Sequence, residues 1–206
     1  MGKLTLTTFV SLEGVMQAPG APDEDRSGAF QQGGWLVPYA DADFAQFVDG
    51  WLAAADAFLL GRTTYELFAG YWPRVTDRAD PVASRLNSLP KHVVSKTLAR
   101  VDWHNSTLVR GDVVKEIAAL KGHYKRELQV HGSCGLAQTL MQHDLIDEYR
   151  LWLFPVVLGS GKRLFGQGVT PAALKLVASK TTGSGITVNT YRPAGKPTYG
   201  SFALES

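Results

Sequence analysis

The chain lacks the features that mark secreted, membrane-spanning and nucleic-acid-binding proteins. Its 206 residues contain one cysteine, Cys134, which excludes an internal disulfide and any need for an oxidising compartment. No apolar run approaches ~18 residues, and the first segment, MGKLTLTTFVSLEG, has no continuous apolar region of the kind found in signal peptides. The net charge is only +2, and the basic residues are spread along the chain rather than gathered into a stripe. We therefore expect a cytoplasmic protein that binds neither membrane nor nucleic acid.

What is present is the composition of an ordinary globular protein. Hydrophobic residues make up 45% of the chain and charged residues 19%, which favours a sizeable core and argues against wholesale disorder. The length fits a single domain, which we assign to residues 1–193. We expect residues 194–206 to form a C-terminal tail that is loosely held or packed on a partner chain.

Strand and helix patterns alternate along most of the chain. The segment KLTLTTFV predicts a first strand, and a long loop rich in Gly, Pro and Asp follows from Ser11 to Trp35. A helix capped by Asp41 or Asp43 comes next, and further strand and helix units extend to about Phe154. Two alternating segments around a glycine turn then close the chain. This order predicts an α/β fold with a mixed, mostly parallel sheet flanked by helices and a C-terminal antiparallel hairpin.

Two of the predicted strand-to-helix turns bend at glycine, in the segments LLGRTTYE and VHGSCGLAQTL. The unpaired N–H groups at a helix start, together with the helix dipole, form an anion site, and Arg62 adds a positive charge directly after Gly61. A tight bend explains each glycine on its own equally well. Together with the polar strand end in VVSKTL, however, the two turns outline a site for an extended nucleotide at the carboxyl ends of the strands.

Five segments in order carry a family resemblance: SLEGVMQAPG, LLGRTTYE, VVSKTL, VHGSCGLAQTL and LWLFPVVLGSGKRLF. They resemble the dihydrofolate reductase superfamily, and most closely its branch that includes the reductase domain of riboflavin biosynthesis. The resemblance extends from Lys3 to Arg192. It implies a dihydrofolate-reductase-like mixed sheet flanked by helices, NADPH as the hydride donor, and a homodimer.

The resemblance also implies which residues bind the cofactor. The first glycine turn would hold NADPH, with the arginine near the adenosine 2′-phosphate, through Gly61, Arg62, Thr63 and Thr64. The next strand end would contact the adenosine half through Ser95, Lys96 and Thr97. The second glycine turn would receive the pyrophosphate through Gly132, Ser133, Cys134, Gly135 and Leu136. Dihydrofolate reductases have two glycines there, often joined by a cis peptide, and the Gly132-Ser133 pair leaves the geometry of this bond open.

Catalytic candidates are less sharply defined. Dihydrofolate reductases place a carboxylate just after a Trp-x-x-Pro segment, and WLVPYADADF keeps Trp35 and Pro38 but inserts two residues before Asp41 or Asp43. We take Asp41 as the catalytic candidate and Trp35 as a substrate contact. The alternative is that either aspartate only caps a helix.

The loops supply three further candidates. We expect the loop after the first strand to close over the nicotinamide, with Glu13 and Gln17 on its inner side as catalytic candidates. Lys162, in LGSGKRLF, would meet a substrate phosphate. For each of the three, a solvated loop side chain is the alternative.

Other chemistries are excluded by missing residues. LGSGKRLF is not a Walker P-loop, because Val156 stands where the pattern needs glycine and Arg163 where it needs Ser or Thr. His131 and Cys134 have no further ligand at metal-binding spacing, and the H-x-E and P-C-x-x-C segments of zinc deaminases do not occur. We therefore predict no metal site.

These inferences lead to a functional prediction and a rival. The first is an NADPH-dependent reductase of a small heterocyclic or carbonyl substrate, similar to 5-amino-6-(5-phosphoribosylamino)uracil reductase or dihydrofolate reductase. The rival is a non-catalytic nucleotide-binding dimer on the same scaffold. We expect a homodimer in either case, because YRLWLFPVVL, with Trp152, Phe154 and Val157, is unusually apolar for an exposed edge. Burial of this segment inside one subunit is the alternative.

Overall fold

A computed structural model describes residues 1–77 and 79–203 of the chain. The described residues form eight strands and five α-helices. The strands are β1 (Lys3–Val10), β2 (Ala55–Gly61), β3 (Lys91–Val94), β4 (Ser106–Val109), β5 (Glu127–His131), β6 (Glu148–Leu153), β7 (Leu174–Thr181) and β8 (Thr187–Pro193). The helices are α1 (Ala42–Ala54), α2 (Arg62–Tyr71), α3 (Pro81–Ser88), α4 (Val113–His123) and α5 (Cys134–Gln142).

All the strands join one sheet in the order β4-β3-β2-β5-β1-β6-β8-β7. The pairings from β4 through to β6 are parallel, while β8 pairs antiparallel with both β6 and β7. The mixed, mostly parallel sheet with a C-terminal antiparallel hairpin is therefore confirmed. Because the parallel strands point the same way, their carboxyl ends meet along one edge, where polar strand-end residues collect.

Aspartates begin three of the helices. Asp41 Oδ1 accepts a hydrogen bond of 2.8 Å from the N–H of Phe44, so Asp41 rather than Asp43 caps α1. Asp80 and Asp112 cap α3 and α4 in the same way. Helix α3 is absent from the sequence prediction, although Asp80 followed by a proline in the first turn is a typical helix start.

The two faces of the sheet are covered differently. One face packs on α4 and α5 through aliphatic residues that include Leu6, Val130, Ile117 and Leu140. The opposite face packs on α1 and on the long loop after β1 through an aromatic cluster that includes Phe9, Trp35, Trp51, Trp152 and Phe154. Edge-to-face ring contacts of this kind fix the orientation of side chains as well as burying area.

Two of the three residues singled out in the apolar segment around β6 are buried within one chain, whereas Val157 is 68% exposed. Its strand lies between β1 and β8, and both Trp152 and Phe154 are 0% exposed. For these two side chains the alternative holds, burial inside one subunit: β8 pairs with the edge of β6, and Phe44, Phe47 and Trp51 of α1 pack against Trp152. The sheet ends instead at β7, where Leu176 and Val177 are half exposed.

The start of the predicted tail is attached to the domain. The N–H of Ala194 donates to the carbonyl of Ala173, and the N–H of Ala173 donates to that of Gly195, both at 2.8 Å. Tyr199 and Phe202 are exposed, and residues 204–206 lie outside the described residues. None of the helices in the described part of the chain is long and apolar enough to cross a membrane.

Candidate functional site

A cavity of about 990 Å³ opens along the carboxyl ends of β1, β2, β3 and β5. Its wall includes most of the residues singled out from the sequence: Gln17, Gly61, Arg62, Thr63, Thr64, Ser95, Lys96, Gly132, Ser133, Cys134, Gly135, Leu136 and Lys162. Glu13, Trp35, Asp41 and Thr97 do not line it. Both glycine turns thus meet in one space.

The two glycine turns are joined by Ser133. Its hydroxyl accepts a 2.9 Å bond from the N–H of Gly61 and donates to the carbonyl of His131, while its own N–H donates to the Thr64 hydroxyl at 3.0 Å. Ser133 adopts a left-handed conformation with φ of 57°, which only a short side chain held by hydrogen bonds tolerates well. No cis peptide bond occurs among the described residues, so the bond between Gly132 and Ser133 is trans.

The starts of α2 and α5 face the cavity from these turns. The first N–H groups of a helix have no partner within it, and the helix dipole adds partial positive charge there. Arg62 is the first residue of α2, and its half-exposed guanidinium lies 3.5 Å from Glu66. Such an exposed pair is weak, so the guanidinium remains available to an anionic ligand.

The strand end after β3 is ordered by its own side chain. The Ser95 hydroxyl accepts hydrogen bonds from the N–H groups of Thr97 and Leu98, at 3.2 and 3.0 Å. Ser95 and Lys96 line the cavity, whereas Thr97 does not. This rim is on the side of the cavity where the resemblance places the adenosine half.

Gln17 and Lys162 hold the long loop closed. The Gln17 amide nitrogen donates to the carbonyls of Asp25 and Ser27, and its oxygen accepts from the N–H of Lys162. The Lys162 ammonium lies 2.6 Å from the Asp25 carboxylate. Burial raises the pKa of Asp25, but hydrogen bonds from Lys162 and Ser27 outweigh it, so the pKa lies below the usual value. Gln17 and Lys162 are therefore committed to the loop, although both border the cavity.

Two other predicted residues, Glu13 and Trp35, hold loops in this fold and do not line the cavity. Glu13 Oε1 accepts from the N–H groups of Leu158 and Gly159, at 2.6 and 2.8 Å. Burial raises the pKa of Glu13, but the hydrogen bonds to its carboxylate outweigh this effect and lower the pKa to about 2. The Trp35 indole donates to the carbonyl of Gln17. Both side chains thus fix loops instead of facing the cavity.

Asp41 has a similar structural position. Besides capping α1, its carboxylate accepts a 2.8 Å hydrogen bond from the N–H of Ser184, in the turn between β7 and β8. These backbone hydrogen bonds lower its pKa, led by that from Phe44. Asp41 therefore caps a helix and does not line the cavity, and a catalytic role for it stays a prediction.

His131 is a cavity residue that the sequence analysis considers only as a metal ligand. It ends β5 and lies between the rings of Trp51 and Phe58, at centroid distances of 6.2 and 5.5 Å. Burial, and next the charge of Arg150, lower the pKa of His131 to about 4, so its ring is neutral near pH 7. Its place at a strand end beside Gly132 is the signal that points to it. Among the described residues no cluster of three or more His, Cys, Asp or Glu is arranged to hold a metal.

Comparison with known proteins agrees with this architecture. The sequence profile of the RibD C-terminal domain family matches residues 2–188, and the chain belongs to this reductase-like family. The uncharacterized protein YyaP of Bacillus subtilis (strain 168) is 29% identical over 157 residues, covering 74% of this chain and 79% of YyaP.

Two solved structures share the fold. A proposed riboflavin biosynthesis protein from Shewanella sp. PV-4 superposes with a TM-score of 0.67 at 23% identity, over 93% of this chain and 98% of that one. A dihydrofolate reductase from Enterococcus faecalis, complexed with NADP(H) and RAB-propyl, gives a TM-score of 0.60 at 12% identity, over 94% and 97%. The dihydrofolate-reductase-like fold is thereby confirmed.

Proposed function

We propose that this protein is an NADPH-dependent reductase of a small heterocyclic substrate. The observation that carries the proposal is the meeting of two helix starts and Arg62 in one long cavity at the carboxyl ends of the strands. Family membership and the NADP(H) complex of the dihydrofolate reductase from E. faecalis support the choice of cofactor.

The residues present fit a dinucleotide phosphate. A Cβ atom at Gly132 would lie 3.3 Å from the Thr64 hydroxyl, so glycine allows the two turns to approach closely. The first-turn N–H groups of α5 suit a pyrophosphate, and a guanidinium suits a phosphate monoester in two-pronged geometry. The cavity volume lies at the upper end of the range for small-molecule sites, which suits two ligands side by side.

The chain would contribute binding and orientation rather than covalent chemistry. NADPH supplies a hydride when bound, and the protein sets the distance and excludes water. Gly61, Ser133 and Thr64 hold the two phosphate-binding turns at a fixed spacing. The loop held by Gln17 and Lys162 covers the end of the cavity near β1 and restricts access of water.

Selectivity for NADPH over NADH tests this proposal. Replacing Arg62 with alanine removes the guanidinium and should weaken NADPH binding about 10- to 100-fold, because a charge-assisted hydrogen bond contributes about 1.5 to 3 kcal/mol. NADH lacks the 2′-phosphate and should bind the variant as it binds the wild type. Arg100→Ala is a matched control, since Arg100 is exposed, pairs with Asp102 and lies outside the cavity. Both dissociation constants are measured by cofactor fluorescence at fixed salt. Equal losses for the two cofactors would contradict the assignment.

A non-catalytic nucleotide-binding protein is the second candidate. It is favoured by one observation: the predicted carboxylates Glu13 and Asp41 both accept backbone hydrogen bonds and lie outside the cavity. Thermal-shift titration with NADPH followed by assay of its oxidation with a panel of heterocycles separates the two. A shift without oxidation by any member favours binding alone.

We also propose that the protein is a homodimer, now on the ground of its edge strand. β7 has one side without a partner strand among the described residues, and it carries the half-exposed Leu176 and Val177. Light scattering should then give twice the chain mass of 22.4 kDa, and the chain mass itself would contradict the dimer.

A further inference from the structure

The side of helix α2 that faces the cavity changes from polar to apolar along its length. Arg62 and Thr64 line the cavity at the start of the helix, and Leu67, Phe68 and Trp72 line it further along. Thr64, Phe68 and Trp72 are four residues apart, so they share one face of the helix. With a rise of ~1.5 Å per residue, about 15 Å separate the levels of Arg62 and Trp72. The cavity therefore has a cationic end and an apolar end.

Two pairs of aromatic rings form the apolar end. Phe68 and Trp72 of the first pair meet edge to face, with ring centroids 6.3 Å apart. The second pair is Phe9, at the end of β1, and Phe44 in α1, with centroids 5.6 Å apart. Val48, one turn further along α1, packs against the hydrophobic clusters of both pairs. All four rings are half-buried and line the cavity, so part of their apolar surface is open to a ligand.

The positive charges in the cavity wall lie elsewhere or are already paired. Arg62 begins α2, and Lys96 follows the end of β3. The Lys162 ammonium is bound to the Asp25 carboxylate at 2.6 Å. Arg163 lies beside α5, because its carbonyl accepts a 3.2 Å hydrogen bond from a side chain of that helix. Among the described lining residues, the apolar end therefore has no free cation.

The loop after β1 brings carboxyl groups rather than cations to the cavity. Leu36, directly after this loop, packs in the same cluster as Phe9 and Phe44. The charged residues that the loop itself adds to the lining are Glu24 and Asp25. Both carboxylates accept hydrogen bonds from N–H groups of the same loop. A phosphate near this loop would meet charges of its own sign, which repel it.

We propose that the substrate of this chain carries an uncharged aromatic substituent, and that the cavity discriminates against a phosphorylated one. The substituent packs between Phe44, Phe68 and Trp72, where its apolar area is removed from water and ring edges and faces are available for contact. A phosphate in the same place would lose its hydration without gaining a cation. The substrate thus differs from the phosphorylated one for which the sequence analysis assigns Lys162.

This inference rests on the proposed reductase function and narrows the class of its substrate. Binding of the cofactor phosphates involves the glycine turns and Arg62, at the other end of α2, and does not depend on it. The two proposals therefore fail in different measurements.

Three probes that share one ring test the inference on the unmodified protein. With NADPH saturating, 6-(benzylamino)uracil should bind at least about 10-fold more tightly than 6-aminouracil, because its phenyl group is buried. The third probe carries a 2-(phosphonooxy)ethylamino group at the same position and should bind no more tightly than 6-aminouracil. Isothermal titration calorimetry measures all three.

Three results would overturn the inference. They are a phosphorylated probe that binds as tightly as the benzyl probe, a benzyl probe that gains nothing over 6-aminouracil, and no binding of any probe at millimolar concentration while NADPH binds normally. Failure of NADPH itself to bind would instead count against the reductase function.

Variants then locate the apolar end. Trp72→Leu should weaken the benzyl probe about 5- to 10-fold without affecting 6-aminouracil, and Phe68→Lys should strengthen the phosphorylated probe at least about 10-fold. Gly70→Lys is the matched control, because Gly70 is on the same helix but is exposed and outside the cavity. If Trp72→Leu and Phe68→Lys both keep the wild-type preferences, the substituent binds elsewhere. NADPH affinity, measured in parallel, shows that each variant is folded.

Discussion

The ionic cluster beneath the cavity offers the sharpest test of how this fold is stabilised. Arg150 donates to Glu127 at 2.6 and 2.9 Å and to Glu148 at 2.8 and 3.2 Å, so one guanidinium bridges two carboxylates. The three side chains are 14%, 7% and 5% exposed, respectively. We expect Arg150→Met to destabilise the protein strongly, because it keeps the bulk of the side chain and removes the shared positive charge.

The magnitude follows from the charges that remain. Removing one partner of a buried ion pair costs about 3 to 5 kcal/mol, since the other charge stays buried without compensation. Lys3 lies 3.2 Å from Glu148 and Arg192 also 3.2 Å, but these two side chains are 43% and 58% exposed and are screened by solvent. Lys3 and Arg192 offset part of the loss, so we expect the free energy of unfolding to decrease by about 3 kcal/mol, the lower bound of that range.

Urea unfolding at several pH values is the assay. Burial raises the pKa values of Glu127 and Glu148, but Arg150 outweighs it, so both lie below the usual value of 4.5. Between those lowered values and 4.5 the unfolded chain binds more protons than the folded chain, so stability is full above pH 4.5 and falls as the pH decreases below it.

In Arg150→Met the decrease in stability below pH 4.5 should be smaller, because the pKa values of Glu127 and Glu148 are no longer lowered in the folded chain. Arg100→Met is the control, since its pair with Asp102 is 82% and 72% exposed and should contribute less than about 1 kcal/mol. A loss below about 1 kcal/mol for Arg150→Met, or an unchanged acid limb, would refute the reasoning.

Two further variants separate structural roles from functional ones. Asp41→Ala removes the cap of α1 and should lower the urea midpoint of unfolding without changing turnover. Reduced turnover at an unchanged midpoint would return Asp41 to the catalytic candidates. Ser133→Ala removes the acceptor of the Gly61 N–H and should both lower stability by about 1 to 2 kcal/mol and weaken NADPH binding. Unchanged NADPH affinity in this variant would place the pyrophosphate elsewhere.

Local rules explain why the side of the cavity formed by the two glycine turns is predictable from the sequence. Glycine at a strand end followed by a helix start is a feature of adjacent residues, and Gly61-Arg62 and Gly132-Ser133 both show it. Parallel strands then bring such turns to one edge whatever the order of the strands. Those residues accordingly line one cavity.

The side of the cavity formed by β1 and β5 is harder to predict from the sequence, because it depends on the order of the strands in the sheet. Thr7 meets His131 only because β5 lies beside β1, and Arg150 reaches Glu127 only because β6 lies on the other side of β1. No local pattern encodes those neighbours. The burial of Trp152 within one chain also depends on tertiary contacts, since α1 packs Phe44, Phe47 and Trp51 against it.

The placement of acids around the cavity bears on where a proton enters the reaction. Hydride addition to a C=N or C=O bond leaves a basic nitrogen or oxygen that must take a proton. His131, which lines the cavity at the end of β5, is neutral and already donates its single N–H to Gln129. Of the two acids lining the cavity, Asp25 is held by Lys162, and Glu24 accepts from the N–H groups of Gly20 and Ala21, although burial raises its pKa above the usual value. Both acids belong to the long loop after β1, which thus carries the only carboxyl groups among the described lining residues. For the reductase proposed above, proton supply would therefore fall to this loop or to water.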